Sequence, residues 1–309
     1  MKTVSTPAPS IAAPTPPTPA AASALAFALA LTFVPAAAHA QEVGPANGSL
    51  IIAGGALRDP AVFAQFVELA GGPSAPIVII PTAGGGQNYD QYFSGRRAFE
   101  RAGAQHITIL HTNDPEVADT DAFVEPLLEA RGVWFTGGRQ WRLADSYLDT
   151  KTHDALWGVL ERGGVIGGSS AGASIQGSYL VRGDTRTNTI MMGDHEVGLG
   201  FLKGVGIDQH LLRRNRHFDM IEVIRAKPEL LGIGIDENTA IVVRGDRFEV
   251  VGESYAVIYD HDATLDSGGL FYFLAPGDTY NMATREAFRP GRDNQPLGRI
   301  TGTPWPPGG

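Results

Sequence analysis

Short apolar runs alternate with helical patterns along the chain from residue 49 to residue 166. Most runs are followed by glycine or proline, and the stretches between them carry apolar residues at helical spacing. The runs cover residues 49–53, 76–80, 106–110, 132–135 and 165–166. Continuous apolar runs are typical of parallel strands that are buried on both faces. The pattern therefore predicts an α/β fold, in which helices flank a doubly wound, mostly parallel sheet.

Glycine clusters follow several of these predicted strands, at residues 54–55, 84–86, 137–138 and 167–168. Ligands of open α/β sheets bind beyond the carboxyl ends of the strands. The clustering therefore predicts one shared cleft at that edge of the sheet.

The last third of the chain has a different pattern. Residues 240–243 and 248–251 are apolar runs on either side of a polar four-residue turn, which predicts a β-hairpin. Residues 255–259 and 270–274 are further candidate strands. We expect one α/β domain over residues 41–289, with an antiparallel extension on its C-terminal side.

The two ends of the chain differ from this domain in composition. Lys2, the apolar run 21–34 and the small-x-small sequence Ala38-His39-Ala40 occur in the order that is typical of a secretory signal peptide. We expect residues 1–40 to be removed and the mature protein to be secreted or periplasmic, with no membrane attachment. Residues 290–309 are rich in proline and glycine and are predicted to form a frayed tail.

Composition excludes several functions. The 309-residue chain has no cysteine, so disulfides, thiolate metal sites and a cysteine nucleophile are all excluded. Its formal net charge of -9 argues against non-specific nucleic-acid binding, which needs a basic surface. The zinc-binding spacing His-Glu-x-x-His does not occur in the sequence, and we expect no metal and no cofactor.

The strongest chemical signal is Gly168-Ser169-Ser170-Ala171-Gly172. It fits the Gly-x-Ser-x-Gly motif, with a predicted strand before it and a predicted helix over residues 173–179 after it. In such a nucleophile elbow the serine lies on a strained strand-to-helix turn, and the glycines let neighbouring chain segments pass. The backbone N–H of Ala171 would then face a developing oxyanion. A glycine-rich turn with serine as helix cap is the alternative; we predict that Ser170 is a nucleophile.

A serine nucleophile needs a neighbouring base. Beyond the leader the candidates are His106, His111, His153, His195, His210, His217 and His261. His210 stands out because it follows a predicted strand and precedes a basic segment, residues 213–216. The alternative for this segment is a helix cap with solvated arginines. His195 lies between two acids and fits either a surface loop or a metal ligand.

The base needs an orienting carboxylate. Asp236 and Glu237 end a glycine-spaced strand, and the residue pattern does not choose between them. A hydrolase with the chain order Ser, acid, His would instead use an acid such as Asp184 with His210.

Four segments together resemble a known family. They are residues 135–140 (Phe-Thr-Gly-Gly-Arg-Gln), 168–173 (the serine motif), 208–210 (Asp-Gln-His, with trailing arginines) and 232–240 (Gly-Ile-Gly-Ile-Asp-Glu-Asn-Thr-Ala). In this order and spacing they resemble peptidase family S51, which contains cyanophycinase. The resemblance implies a fold similar to that of class I glutamine amidotransferases, with serine in place of their cysteine.

The resemblance also implies a chemistry. The implied triad is Ser170 as nucleophile, His210 as base and Glu237 as orienting acid. The implied oxyanion donors are the backbone N–H groups of Ala171 and of Gly137 or Gly138. The residues implied to contact substrate are Gln140, Asp208, Gln209, Arg214 and Arg216. Cyanophycinases cleave cyanophycin, a poly-aspartate chain with arginine on each β-carboxyl, to β-Asp-Arg dipeptides.

Two positions depart from the family pattern. Arg139 stands where the family usually has an amide or an acid, and Asp219 stands where cyanophycinases carry a third arginine. These changes leave two alternatives open: an aspartyl dipeptidase or other S51-like peptidase, and a binding relative with weak catalysis. The expected partner is a peptide or cyanophycin substrate. The oligomeric state stays open, with a homodimer as one alternative.

Overall fold

The computed structural model describes residues 42–262 and 269–288, together with Met1, Pro9, Ala12 and Pro14. The predicted signal peptide, apart from those four positions, and the predicted tail lie outside the described residues. Within the described part, no helix has both the length and the apolar character needed to cross a bilayer.

In chain order the strands are β1 (Ser49–Ala53), β2 (Pro76–Ile80), β3 (His106–Ile109), β4 (Gly132–Phe135), β5 (Val165–Ser169), β6 (Gly177–Tyr179), β7 (Leu202–Gln209), β8 (Leu231–Ile235), β9 (Thr239–Arg244), β10 (Arg247–Gly252), β11 (Ala256–Asp260), β12 (Tyr272–Leu274), β13 (Thr279–Asn281) and β14 (Glu286–Phe288).

The α-helices are α1 (Pro60–Leu69), α2 (Arg97–Arg101), α3 (Pro115–Ala118), α4 (Asp121–Glu129), α5 (Gln140–Tyr147), α6 (Lys151–Glu161), α7 (Ala171–Ser174) and α8 (Met220–Ala226). Two short 3-10 helices cover Thr82–Gly84 and Ser94–Arg96.

The larger sheet has nine strands among the described residues, in the order β14-β13-β10-β9-β1-β5-β4-β2-β3. The strands β1, β5, β4, β2 and β3 pair in parallel. From β9 outward the pairing is antiparallel, and β9 and β10 form the predicted hairpin. The prediction of a mostly parallel α/β sheet with an antiparallel extension is confirmed.

Both faces of the parallel region are buried, as continuous apolar strands require. In β1, Leu50 and Ile52 belong to one hydrophobic cluster, whereas Ile51 and Ala53 belong to another. Alternate side chains of a strand point to opposite faces of a sheet, so β1 is covered on both sides.

A second sheet, which the apolar pattern does not predict as a separate unit, has the order β12-β11-β8-β7-β6 within the described residues. Its strands β6, β7 and β8 are parallel, and β11 and β12 pair antiparallel. Glycines in β8 leave room for neighbouring side chains. A Cβ at Gly234 would lie 2.7 Å from Leu211, and one at Gly232 would lie 2.7 Å from Met220.

Two segments form shorter helices than their helical spacing predicts. One is residues 92–102, where the apolar positions have the spacing of a single helix but the chain forms the 3-10 helix Ser94–Arg96 followed by α2. The helix predicted over 173–179 ends after one turn, and residues 177–179 form β6 instead. Gly177 explains the second case. Glycine disfavours a helix interior by about 1 kcal/mol, and a Cβ at this position would lie 2.6 Å from the carbonyl oxygen of Val205 in the neighbouring β7.

Candidate active site

Ser170 lies on the sharp turn between β5 and α7. Its backbone has φ 59° and ψ -114°, a sparsely populated conformation for any residue other than glycine. A Cβ at Gly168 would overlap the carbonyl oxygen of Gly172, and one at Gly172 would overlap the carbonyl oxygen of Phe135. The two glycines of the motif are therefore required by close backbone packing. The strand, turn and one-turn helix form the structural context that the motif predicts.

His210 directly follows β7 in the second sheet, and its ring faces Ser170. His210 Nε2 lies 2.9 Å from Ser170 Oγ. The ring packs against the backbone of Gly55, where a Cβ would lie within 3.0 Å of three ring atoms. His210 has φ 53°, so the chain turns sharply at the point where β7 ends.

Glu237 is hydrogen bonded to His210, which in turn contacts Ser170, and Asp236 is not part of this hydrogen-bonded chain. Glu237 Oε1 lies 2.6 Å from His210 Nδ1. Asp236 is instead a structural cap: its Oδ1 accepts hydrogen bonds from the N–H groups of Leu212 and Arg213, at 3.0 and 2.9 Å. Its Oδ2 accepts a 2.7 Å bond from the Ser254 hydroxyl. The two acids that sequence reasoning could not separate have different partners.

The alternative acid, Asp184, does not contact His210. Its Oδ1 accepts hydrogen bonds from the N–H groups of Arg186 and Thr187, at 2.9 and 3.0 Å. Asp184 therefore caps its own loop, and the chain order of the assembled side chains is Ser, His, acid.

Three consecutive carbonyl groups at the end of β1 hold the three segments together. The carbonyl oxygen of Ala53 accepts from the N–H of Ser170 at 3.0 Å, and that of Gly54 accepts from the N–H of His210 at 2.7 Å. The carbonyl oxygen of Gly55 accepts from the N–H of Asn238, the residue after Glu237, at 2.9 Å. The end of β1 is thus the common support of Ser170, His210 and the segment of Glu237.

The surroundings of His210 favour its neutral form. Burial lowers the pKa of His210 below its usual value of 6.5, the hydrogen bond to Glu237 raises it, and the positive charges of Arg214 and Arg216 lower it. The net direction is downward, so the imidazole is neutral and able to accept a proton at neutral pH.

Two backbone segments flank the nucleophile where an oxyanion would form. Ala171 is the first residue of α7 and directly follows Ser170. Gly137 lies beside the serine, because a Cβ at this position would be 3.3 Å from Ser170 Cβ and 3.7 Å from its Oγ. Gly138 packs against the backbone of Ala83 instead. Of the two glycines, Gly137 is thus the one that lies beside Ser170.

Two of the residues predicted to contact substrate are buried and bonded within the chain. Gln140 Nε2 donates to the carbonyl oxygens of Val181 and Arg182, at 2.8 and 2.9 Å. Both carboxylate oxygens of Asp208 accept from the guanidinium of Arg182, at 2.7 and 2.9 Å. The polar atoms of Gln140 and Asp208 are therefore engaged within the chain, and their predicted direct contact with substrate stays a prediction.

The other three predicted contact residues lie around His210. Arg216 is buried, and its Nη1 donates to the backbone carbonyl and the side-chain oxygen of Gln209, at 3.1 and 3.2 Å. Arg214 is exposed, and its charge acts on His210. Arg214 is thus the member of the set that is open to solvent.

Arg182 is the residue that sequence reasoning missed. It is buried and joins Asp208 to Asp219, the second of these through a 2.6 Å bond from Nη2 to Asp219 Oδ2. No motif surrounds Arg182, and a single arginine in a loop gives no sign of burial. The other family departure, Arg139, donates from Nη2 to the carbonyl oxygen of Asp184.

His195 has two carboxylate partners. Its Nε2 lies 2.7 Å from Asp145 Oδ1 and its Nδ1 lies 3.0 Å from Asp194 Oδ1. Among residues 42–262 and 269–288, no group of three or more histidine and acidic side chains is arranged to hold a metal ion.

Comparisons with known proteins identify the family. The model of peptidase family S51 matches residues 50–251. The cyanophycinase of Geminocystis herdmanii is 31% identical over 263 residues, which cover 78% of this chain and 96% of that protein. The cyanophycinase of a Nostoc species is 32% identical over 222 residues, which cover 69% of this chain and 73% of that protein. The crystal structure of a peptidase from an acI-B1 Actinobacterium superposes with a TM-score of 0.57 at 25% identity, over 77% of this chain and 98% of that one. The chain therefore belongs to peptidase family S51, a family of hydrolases.

Proposed function

We propose that this protein is a serine-type exopeptidase of the cyanophycinase type, which hydrolyses cyanophycin to β-Asp-Arg dipeptides. The observation that carries the proposal is the hydrogen-bonded row of Ser170, His210 and Glu237, with its two bonds of 2.9 and 2.6 Å. Two relatives of about 30% identity are cyanophycinases, which supports the substrate class.

The first half of the reaction forms an acyl-enzyme. His210 carries its proton on Nδ1, which donates to Glu237, and Nε2 is free to accept the proton of Ser170 Oγ. As that proton moves to Nε2, Oγ attacks the scissile carbonyl carbon and the carbonyl oxygen becomes an oxyanion. The backbone N–H groups of Ala171 and of Gly137 or Gly138 stabilise this charge. The imidazolium is stabilised by Glu237 and then gives its proton to the leaving amine.

The second half of the reaction releases the product. Water gives a proton to Nε2 of His210 and attacks the acyl carbon. The tetrahedral intermediate then collapses, and the proton returns to Ser170 Oγ as the carboxylic product leaves. Side chains supply every proton transfer, so the cycle needs neither a metal nor a cofactor.

The basic segment after His210 suits an acidic substrate. Arginine binds carboxylates through two parallel hydrogen bonds, which makes it a good partner for aspartate-rich chains. Arg214 is exposed on this segment, and Arg216 is buried beside it. We propose that these two guanidinium groups bind substrate carboxylates.

A second candidate is a related S51 peptidase that acts on short α-aspartyl peptides. It is favoured by Arg139 and Asp219, since both positions change the charge of the family pattern. In this case the chemistry at Ser170 is kept and the substrate changes. A binding relative without catalysis has less support, because all three side chains of the triad are present and hydrogen bonded.

The decisive test is product analysis. The mature protein is incubated with cyanophycin and, separately, with a panel of α-aspartyl peptides, and the products are measured by mass spectrometry. Release of β-Asp-Arg supports the proposal, whereas cleavage of α-linked peptides alone supports the second candidate. Ser170→Ala should abolish either activity, and the neighbouring Ser169→Ala is the matched control that should keep it. If neither substrate is cut, the proposal is wrong.

We also propose that residues 1–40 direct export. The order of charged, apolar and small residues in this segment supports the proposal. Amino-terminal sequencing of protein recovered from the periplasm or the medium should then begin at Gln41. Recovery of the full-length chain from the cytoplasm alone would contradict export.

A further inference from the structure

Asp219 lies three residues beyond Arg216, the last arginine of the basic segment that follows His210. The segment starts at His210, whose carbonyl oxygen accepts from the N–H of Arg214 at 3.0 Å. It continues to Asp219, whose N–H donates to the carbonyl oxygen of Arg216 at 2.9 Å. Burial is the main cause that lowers the pKa of the Arg216 guanidinium, and the charge of Asp219 opposes this shift. Asp219 therefore acts electrostatically on Arg216, whose guanidinium is bonded to Gln209, the residue before His210.

Arg182 holds one oxygen of Asp219 in place. Its guanidinium forms a two-bond ion pair with Asp208, and the exposed fractions of these two side chains are 1% and 0%. The same guanidinium donates from Nη2 to Asp219 Oδ2 at 2.6 Å and from Nη1 to the carbonyl oxygen of Asn188 at 3.1 Å. Arg182 and Asp208 neutralise each other, and Asp219 contributes a second carboxylate, whose charge also acts on Arg216.

This second carboxylate faces solvent. The Asp219 side chain is 40% exposed, in contrast to the buried side chains of Arg182 and Asp208. Within the described part of the chain, Arg182 is the one cationic side chain that forms an ion pair with Asp219. Oδ1 of Asp219 is therefore available to a cationic group from outside, and Arg182 fixes the direction in which the carboxylate points.

We propose that Asp219 is a specificity-determining residue that binds a cationic group of the substrate, a guanidinium or an ammonium. This inference rests on the proposed peptidase function and names a chemical requirement of its substrate. Arg214 and Arg216 provide the site for a carboxylate, and Asp219 lies three residues further along the same segment. The site accordingly selects a substrate that carries both a carboxylate and a cation near the scissile bond.

The test compares two substrates that differ only in charge. One is a β-linked aspartyl peptide with arginine side groups, and the other carries citrulline, whose neutral urea has nearly the shape of the guanidinium. The parent protein should prefer the arginine substrate by about tenfold in kcat/KM, mainly through KM, because a charge-assisted hydrogen bond is lost with citrulline.

Two variants assign this preference to Asp219. Asp219→Asn keeps an oxygen that accepts from Arg182 but removes the charge, so the preference should fall to about twofold or less. Asp219→Glu keeps the charge and should keep most of the preference. Each result is a ratio between two substrates measured on one protein sample, so a reduced folded fraction cancels. An arginine preference that is unchanged in Asp219→Asn would overturn the inference, as would equal turnover of both substrates by the parent.

A binding experiment separates this inference from the proposed function. The arginine and citrulline peptides are titrated into the Ser170→Ala variant, with and without Asp219→Asn, by calorimetry. If the parent cuts neither peptide but binding shows an arginine preference that Asp219→Asn removes, the proposed function fails and the inference stands. If there is no turnover and binding is absent or does not distinguish the peptides, both fail.

Discussion

Gly55 and His210 are in direct contact, and no residue with a side chain fits at position 55 without moving the imidazole. The φ of Gly55 is +128°, and a Cβ would lie within 3.0 Å of His210 Cε1, Nδ1 and Nε2. Gly55→Ala should therefore displace the ring from Ser170 and lower kcat by about a hundredfold or more, as small misplacements of catalytic groups do.

The matched control for Gly55 is Gly72. It also has a positive φ, +96°, but an added Cβ would meet nothing within 4 Å. Gly72→Ala should carry the backbone strain and keep kcat. Steady-state kinetics together with the Tm of both variants check this, and equal losses of kcat would refute the contact as the cause.

The pH dependence of the reaction should depend on Arg214. The base acts only when neutral, and burial holds the pKa of His210 below 6.5, so the acid limb of kcat/KM should lie below pH 6.5. The positive charge of Arg214 disfavours the imidazolium and so lowers this pKa. Arg214→Ala should raise the pKa of His210 and move the acid limb to higher pH.

The control for this shift is the neighbouring Arg213, which is exposed and is not among the causes of the pKa change of His210. Arg213→Ala should leave the limb where it is. The test is to measure the pH profile of kcat/KM for the parent protein, Arg214→Ala and Arg213→Ala. A limb that stays fixed in Arg214→Ala, or that moves equally in both variants, contradicts the assignment.

Substitution of Glu237 should mainly lower kcat, whereas substitution of the adjacent Asp236 should mainly lower stability. Glu237→Gln keeps the fold but removes the charge that orients His210 and stabilises its protonated form, so kcat should fall by about 10² to 10⁴-fold. Asp236→Asn weakens the cap on Leu212 and Arg213 and should lower the free energy of unfolding by about 1–2 kcal/mol, with a smaller effect on kcat. Steady-state kinetics and urea denaturation of Glu237→Gln and Asp236→Asn test this prediction. A larger loss of kcat in Asp236→Asn and a larger loss of stability in Glu237→Gln would mean that the two roles are exchanged.

The buried ion pair of Arg182 and Asp208 should be costly to break. Arg182→Met leaves a fully buried carboxylate without its partner, which typically lowers the free energy of unfolding by about 3–5 kcal/mol. The control is Lys151→Met, which removes an exposed ion pair with Asp121 and should have no measurable effect. Urea denaturation compares the two, and a small loss for Arg182→Met would show that the pair contributes little.

Features that depend on local pattern could be predicted from the sequence. The parallel strands follow from continuous apolar runs; β3, for example, corresponds to the apolar run 106–110 and ends at Ile109. The turn at Ser170 follows from two glycines that close backbone contacts require. These features need only the residue types of a short segment, so a single sequence contains the necessary information.

Features that depend on which segments meet in space could not be predicted in this way. Asp236 and Glu237 are adjacent acids with the same local pattern, and only the position of His210 separates them. The second sheet joins β6, β7 and β8, whose glycine-rich strands have a weak apolar signal. Arg182 is recognised as a buried residue only when Asp208 and Asp219 are seen around it.

The three carbonyl groups at the end of β1 have a consequence for how this protein can evolve. They position Ser170, His210 and the segment of Glu237 through main-chain hydrogen bonds, and a main-chain bond survives most changes of side chain. Arg139 and Asp219 lie outside this support, and their side chains bond to the carbonyl oxygen of Asp184 and to Arg182, respectively. Substrate preference can therefore drift by single substitutions while the hydrolytic chemistry is inherited unchanged.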